Sequence, residues 1–198
     1  IWIGTDNGLY RYDGSEFTLF SLDGDEDATK YSINCIYLTS DEKLYVGTDN
    51  YGLYMYDNGT FQRVSEMYNL GVSTINAMYE DDNKNLWIAA SSGIFRLSSD
   101  GAEALADDVV SGLSVGNISG HGDYVYAIAN NDILITVDPE RHVSITNKSE
   151  YRVDDINSLY VDENGNRYYG SAGYSILKIG TDGKNEIINT GNLHGINK

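Results

Sequence analysis

The stretch Ile1-Trp2-Ile3-Gly4-Thr5-Asp6-Asn7-Gly8-Leu9-Tyr10-Arg11-Tyr12-Asp13 returns as Leu44-Tyr45-Val46-Gly47-Thr48-Asp49-Asn50-Tyr51-Gly52-Leu53-Tyr54-Met55-Tyr56-Asp57. A third copy is Leu86-Trp87-Ile88-Ala89-Ala90-Ser91-Ser92-Gly93-Ile94-Phe95-Arg96-Leu97. Weaker copies run through Val125-Tyr126-Ala127-Ile128-Ala129 and Arg167-Tyr168-Tyr169-Gly170-Ser171. Aligned on the aromatics Trp2, Tyr45, Trp87, Tyr126 and Tyr168, the copies are 43, 42, 39 and 42 residues apart. A second phrase precedes four of these aromatics: Ile33-Asn34-Cys35-Ile36-Tyr37, Ile75-Asn76-Ala77-Met78-Tyr79, the degraded Val115-Gly116-Asn117-Ile118, and Ile156-Asn157-Ser158-Leu159-Tyr160. It begins again at Gly195-Ile196-Asn197. Self-similarity at a fixed period of this length is the mark of a repeat architecture.

Within one period the pattern is β throughout. In the second copy, Ile33 to Leu38 is a short apolar strand, Ser40-Asp41-Glu42-Lys43 a polar turn, and Leu44 to Thr48 a strand. Asp49-Asn50-Tyr51-Gly52 turns into Leu53 to Tyr56, and Asp57-Asn58-Gly59 turns into Thr60 to Val64. Asn and Gly at these turns supply the positive φ that tight hairpins need. Four strands in about 42 residues is the period of a β-propeller blade. A lone four-stranded meander cannot bury both faces, so blades stack face to face, and the continuous apolar runs Ile1-Trp2-Ile3 and Leu86-Trp87-Ile88 fit strands covered on both sides. The expected fold is all-β: four-stranded antiparallel blades, about five repeats, at residues 1–20, 33–64, 74–98, 115–146 and 155–189. Residues 101–108 read as a loop with at most one helical turn. The first blade lacks its inner strand, and residues 195–198 are placed to supply one. Two arrangements stay open: a closed five-blade ring, or an arc cut from a larger propeller. The arc is favoured, because the chain opens mid-strand and reads as a piece of a longer protein. An arc leaves unpaired strand edges, which invite pairing with another chain.

The composition narrows the partners. The net charge is −17, with 30 acidic residues against 13 Lys and Arg. Binding nucleic acid or an anionic membrane rests on neutralising phosphates with basic side chains, so both are excluded as expected partners. Neutral ligands and cations remain. At 41% hydrophobic and 22% charged residues, the chain has enough apolar material for a packed core. Cys35, the single cysteine, sits in an apolar run and reads as a buried structural thiol.

Leu-Trp-Ile-Gly-Thr-x-x-Gly-Leu-Tyr-Arg-Tyr, preceded by Ile-Asn-x-Ile-Tyr and by the acidic turn Asp81-Asp82-Asn83-Lys84-Asn85, resembles the two-component regulator propeller repeat. The resemblance runs over essentially the whole chain. It is worn in the last two copies, where Ala127 and Tyr169 stand in place of Ile after the aromatic. That family builds extracytoplasmic sensor regions of bacterial hybrid histidine kinases and related receptors, commonly with more repeats than are present here. The resemblance implies a periplasmic or cell-surface domain of a membrane-anchored parent. It implies a glycan or another small molecule as ligand and no enzymatic activity. A dimerising or protein-binding scaffold is the second reading, and a streptogramin lyase-type propeller enzyme, which needs a His and carboxylate cluster at the central channel, is the third.

No residue pattern singles out a catalytic or metal site, and no cofactor is expected. Asp23-Gly24-Asp25-Glu26-Asp27 opens like a calcium loop, but the sixth and twelfth positions hold Ala28 and Asn34, where Gly and an acid are required. His121, His142 and His194 lack paired metal spacing. Trp2 and Trp87 occupy the repeating core position of a strand, and we expect both to pack between blades. In a propeller blade the crossovers to the next repeat and the turns between second and third strands share one end. The candidate ligand contacts there are Tyr51 and Tyr174, extra residues in those turns that read as exposed aromatics, with Tyr31 and Asn131 beside them. Aromatic rings on a polar face suit the stacking of sugars.

Overall fold

Each repeat folds as an up-and-down meander of antiparallel strands, and the computed structural model describes residues 1–24, 26–105 and 109–189. The chain packs as two compact units, residues 1–114 and 115–198. The first unit opens with a three-stranded sheet, β1 (Trp2–Thr5), β2 (Gly8–Tyr12) and β3 (Phe17–Phe20). Two four-stranded sheets follow: β4 (Ser32–Leu38), β5 (Leu44–Asp49), β6 (Leu53–Asp57) and β7 (Thr60–Arg63), then β8 (Ile75–Glu80), β9 (Leu86–Ala90), β10 (Gly93–Ser98) and β11 (Gly101–Ala104). One helical turn, α1 (Val64–Met67), follows β7. The second unit holds β12 (Val115–His121), β13 (Tyr124–Ala129), β14 (Ile133–Val137) and β15 (Val143–Asn147), then β16 (Ile156–Val161), β17 (Arg167–Ser171), β18 (Ser175–Ile179) and β19 (Asn185–Asn189). The fold is thus all-β and built of propeller blades, the first of which has three strands. Residues 195–198, expected to complete it, lie outside the described residues.

Gly101–Ala104 departs from the sequence reading. It is not a loop but the outer strand β11, pairing Phe95 with Ala104 and Ser98 with Gly101. Gly-Ala-Glu-Ala has little intrinsic strand preference. The tight turn before it, with Gly101 at φ +129°, returns the chain alongside β10, and ladder pairing then decides its conformation.

Both repeated phrases have a physical task. In the phrase Ile-Asn, the second residue is a β-bulge: the register against the next strand shifts across Ile33/Cys35, Ile75/Ala77 and Ile156/Ser158, leaving Asn34, Asn76 and Asn157 as the extra residues. A bulge re-aims a side chain out of the ladder, and Asn34 Nδ2 donates to the Ile75 carbonyl of the next sheet at 3.1 Å. In the phrase Trp-Ile-Gly-Thr, the glycine is where the next sheet approaches. A Cβ on Gly4 would lie 2.6 Å from Ile33 Cγ2, and one on Gly47 would lie 2.5 Å from Cys35 Sγ and 2.7 Å from Ile75 Cγ2. The threonine closes the following turn, with Thr48 Oγ1 donating to the Gly52 carbonyl at 2.7 Å.

Trp87 is buried in the core, as expected, and is 4% exposed. Its neighbouring turn is shaped around it: Asp81 accepts from Trp87 Nε1 at 2.8 Å and from the Asn85 backbone at 2.9 Å. Asp162 repeats the arrangement, accepting from the Asn166 backbone at 2.8 Å and from the Tyr168 hydroxyl at 3.2 Å. Trp2 is half-buried, with its ring edge-on to Phe20 at a centroid distance of 4.8 Å. Cys35 is half-buried, and desolvation pushes its thiol up to about 12.

Candidate ligand-binding loops

The turns between second and third strands are tied to the crossovers in both units, which builds the end of each sheet where ligand contacts were expected. In the first unit Gly52 N donates to the Ser73 carbonyl at 2.6 Å, and Gly112 N to the Ser92 carbonyl at 3.0 Å. In the second unit Ile156 N donates to the Asn131 carbonyl at 2.9 Å, and Ala172 N to the Asp155 carbonyl at 2.8 Å.

In the first unit the structure brings Tyr31 and Tyr51 together, with centroids 4.9 Å apart and planes at 66°. Tyr31 is fully buried, and its hydroxyl donates to Asp23 Oδ2 at 3.0 Å. Tyr54 donates to the same oxygen at 2.9 Å. Burial first, and the Asp23 carboxylate second, raise the Tyr54 phenol above its ordinary value. Tyr31 therefore belongs to the core beneath the loop and offers no ring face to a ligand, which corrects its reading as a contact residue. Its ring packs edge-on against Tyr51 and Tyr54, and its hydroxyl bond to Asp23 holds it there. Tyr51, expected to be exposed, is half-buried: it leans on Tyr31, while Arg63 Nε holds its carbonyl at 2.8 Å. Lys30 Nζ sits 4.9 Å from the Tyr31 centroid and 5.4 Å from that of Tyr51. The outcome is one partly open aromatic face beside one cation.

In the second unit Tyr174 is exposed at 60%, as expected of an extra turn aromatic, and stands at φ +59°. Asn131 is exposed at φ +58° in the turn joining β13 to β14. The Tyr174 turn attaches to the 147–155 crossover through Ala172 N and the Asp155 carbonyl, and the Asn131 turn through Lys148 N, which donates to the Asp132 carbonyl at 2.8 Å. A shallow cavity of about 450 Å³ lies beside it, lined by Lys148, Val153, Asp154, Asp155, Ala172 and Gly173. Lys148 pairs with Asp155 and lies 3.8 Å from Asp132 Oδ1. The hydrogen bond to Asp155 raises the Lys148 ammonium above its ordinary value. These charged crossover residues were not singled out from the sequence, although the run Asp154-Asp155 directly before Ile156-Asn157 was the available signal.

Asp138, Glu140 and His142 also gather, their ligand atoms all within 4.8 Å of one another. They sit in the turn joining β14 to β15, the two outer strands of their sheet. Asp138 Oδ1 accepts from the His142 backbone at 2.8 Å and its Oδ2 meets His142 Nδ1 at 3.0 Å, which closes the turn. This His and carboxylate cluster is on the outer edge of a blade, away from the inner strand β12, where a lyase-type site was expected. Among the described residues no helix is long and apolar enough to cross a membrane.

Residues 69–92 match the family model described as two component regulator propeller. No curated protein sequence matches the chain. Among solved structures, the chain is similar to the extracellular domain assigned to hybrid two component system BT4673 of B. thetaiotaomicron, with 23% identity and a TM-score of 0.74 over 96% of this chain and 29% of that one. It is similar also to the corresponding domain of BT3049 from the same organism, with 17% identity and a TM-score of 0.76 over 95% of this chain and 26% of that one. Virginiamycin B lyase from Staphylococcus aureus shares the fold at 14% identity and a TM-score of 0.69, over 95% of this chain and 65% of the lyase. The chain spans less than a third of the length of the two receptor domains. The matched segment contains Ile75-Asn76 with its bulge and the Asp81–Trp87 turn, the features that recur along the sequence. Residues 69–92 thus match one repeat of the two-component regulator propeller family, and the same bulge and turn features recur in other repeats of the chain.

Proposed function

We propose that this chain is part of an extracytoplasmic ligand-sensing propeller of a bacterial two-component-type signalling receptor, and that it binds its ligand without chemical turnover. The observation that carries the reading is the match of residues 69–92 to the regulator propeller repeat. The likeness to extracellular domains assigned to such receptors supports it. The ligand class we propose is a glycan or another small neutral molecule, taken up at the crossover end of the blades. Each unit offers polar and aromatic surface of its own, Tyr51 in the first and Tyr174 with Asn131 in the second. The strong negative charge of the chain accords with a neutral ligand. A scaffold role, through paired propeller faces or edges, is the alternative that a failure of ligand binding would favour.

A thermal-shift series of the chain against oligosaccharides and simple sugars tests this. A specific ligand at a hundred times its dissociation constant stabilises by about 2.7 kcal/mol, a shift of several degrees for a domain of this size. One glycan class should raise the melting temperature with dose, and Tyr51→Ala or Tyr174→Ala should remove the response. A flat panel would overturn the glycan reading.

A further inference from the structure

Within each unit, successive sheets meet through the same pair of faces. Cross-strand partners share a face of a sheet. In the β4–β7 sheet Tyr37, Tyr45 and Met55 form such a row, here called its forward face. Against it pack Met78, Ile88 and Phe95, a row on the rear face of the β8–β11 sheet. Polar groups fix the register of this junction: Glu80 N donates to Tyr37 Oη at 3.0 Å, and Asn34 Nδ2 to the Ile75 carbonyl. The second unit repeats the device, Asn117 Nδ2 donating to the Asn157 carbonyl of the next sheet at 3.2 Å.

The last sheet carries a forward face of its own. Tyr160, Tyr168 and Lys178 stand where Tyr37, Tyr45 and Met55 stand in the second sheet, and Ser158, Gly170, Ile176 and Ile188 form the row beside them. The rear of that sheet is already packed, Tyr169 and Leu177 joining Ile128 and Leu134 in one core cluster. Its forward face is open: Tyr160 is 63% and Ile188 38% exposed. The nearest atoms to a Cβ on Gly170 belong to Ser158 and Asn157 of its own sheet, whereas one on Gly47 meets Ile75 of the next.

The first sheet carries an open rear face. Trp2 and Phe20 turn toward Tyr56 and Phe61 of the second sheet. Alternate residues of a strand point to opposite faces, so Ile3, Tyr10 and Leu19 lie on the other side, with Tyr12 and Phe17 in the adjoining row. Ile3 and Tyr10 correspond to Ile88 and Phe95, and Tyr12 and Phe17 to Leu97 and Ala102, which the internal junction uses. Phe17 is 63% and Ile1 79% exposed. Single exposed apolar side chains are ordinary, but contiguous rows of them mark contact surfaces.

We propose that these two faces bind each other between molecules: the forward face of the β16–β19 sheet seats the rear face of the β1–β3 sheet of a second copy, as the β4–β7 sheet seats β8–β11. The internal junction selects this occupant, because it shows what a forward face of this kind packs against. The two faces differ, so the contact is heterologous and runs head to tail. It uses none of the crossover-end residues and stands whether or not a glycan binds.

Sedimentation of the whole chain tests this, from about 1 μM to about 1 mM, the range that separates moderate from weak contacts. Salt at about 0.15 M screens the repulsion between chains of charge −17. The average mass should rise above 21.9 kDa with concentration. Phe17→Glu blocks the rear face and Tyr160→Glu the forward face. Both side chains are more than half exposed, so each variant should keep the melting temperature of the unmodified chain. Ile1→Glu and Ile188→Glu replace them if it falls. Each variant alone should be monomeric throughout. An equimolar mixture of the two should form dimers and nothing larger, because a single compatible pair of faces remains. An unmodified chain that stays monomeric, association of either variant alone, or a mixture that stays monomeric would overturn the proposal.

Discussion

Trp87 Nε1 donates a 2.8 Å hydrogen bond to Oδ2 of Asp81, six residues before it, and the acidic turn of the repeat is built around that bond. Asp81 is itself buried and also receives the Asn85 side chain at 2.9 Å. Trp87→Ala should cost about 3–5 kcal/mol through the cavity it opens. Asp81→Ala should cost about 1–3 kcal/mol by leaving the indole N–H without an acceptor. Urea denaturation measures both, and a loss below about 1 kcal/mol for Trp87→Ala would contradict its place in the core.

Gly47 is the receiving surface for Ile75 of the next sheet. Gly47→Ala places a methyl 2.5 Å from Cys35 Sγ and 2.9 Å from Ile75 Cβ, so two β-strands must separate. Overpacking of this kind costs about 1–3 kcal/mol. Gly116→Ala is the control: a Cβ there meets nothing within 4 Å, and its effect should stay within about 0.5 kcal/mol. Equal midpoints for the two variants would show that the close approach at Gly47 is not what sets the spacing.

Asp13 offers a pH-dependent signature. The Glu16 and Ser15 backbone N–H groups donate to Oδ1 at 3.0 and 2.8 Å and, with the Ser15 hydroxyl, lower its pKa from 3.8 to about 2. A depressed carboxylate stabilises the fold above its unfolded pKa, and the stabilisation disappears as pH falls through the folded value. The Asp13 contribution should therefore be complete above pH 3.8 and fade toward pH 2. NMR titration of the Asp13 carboxyl carbon reads this directly; a midpoint near 3.8 would mean the turn does not hold in solution.

Cys35 should be inert while the protein is folded. With its thiol near 12, the thiolate population at mild alkaline pH falls roughly three orders of magnitude below that of an ordinary thiol. Iodoacetamide should label the urea-unfolded chain rapidly and the native chain only at the rate of opening. Fast native labelling would show that the contact with Gly47 is open to solvent.

The paired tyrosines on Asp23 provide a check on the loop. Asp23→Ala leaves the Tyr31 and Tyr54 hydroxyls without their shared acceptor, and should destabilise by about 1–3 kcal/mol. The change should also raise the mobility of Tyr51, seen as loss of its chemical-shift dispersion.

Much of the blade was written in local chemistry. Alternation, Asn-Gly turns and the repeating Trp-Ile-Gly-Thr phrase specify strands and hairpins because each depends on neighbours a few residues away. Asn50 and Asn58, for example, adopt the positive φ that the turns required. The outer strand Gly101–Ala104 escaped notice because its residues carry no strand preference and its conformation comes from pairing with β10.

The sequence by itself determined the fold class, the repeat and the core placement of Trp87, since periodicity and burial pattern act at short range. The tertiary structure alone decided which tyrosines are open. Tyr31 and Tyr174 look equivalent as loop aromatics, yet one is sealed by Asp23 and Tyr54 and the other projects into solvent. Exposure and pairing are properties of residues some tens of positions apart in sequence, and no local pattern encodes them.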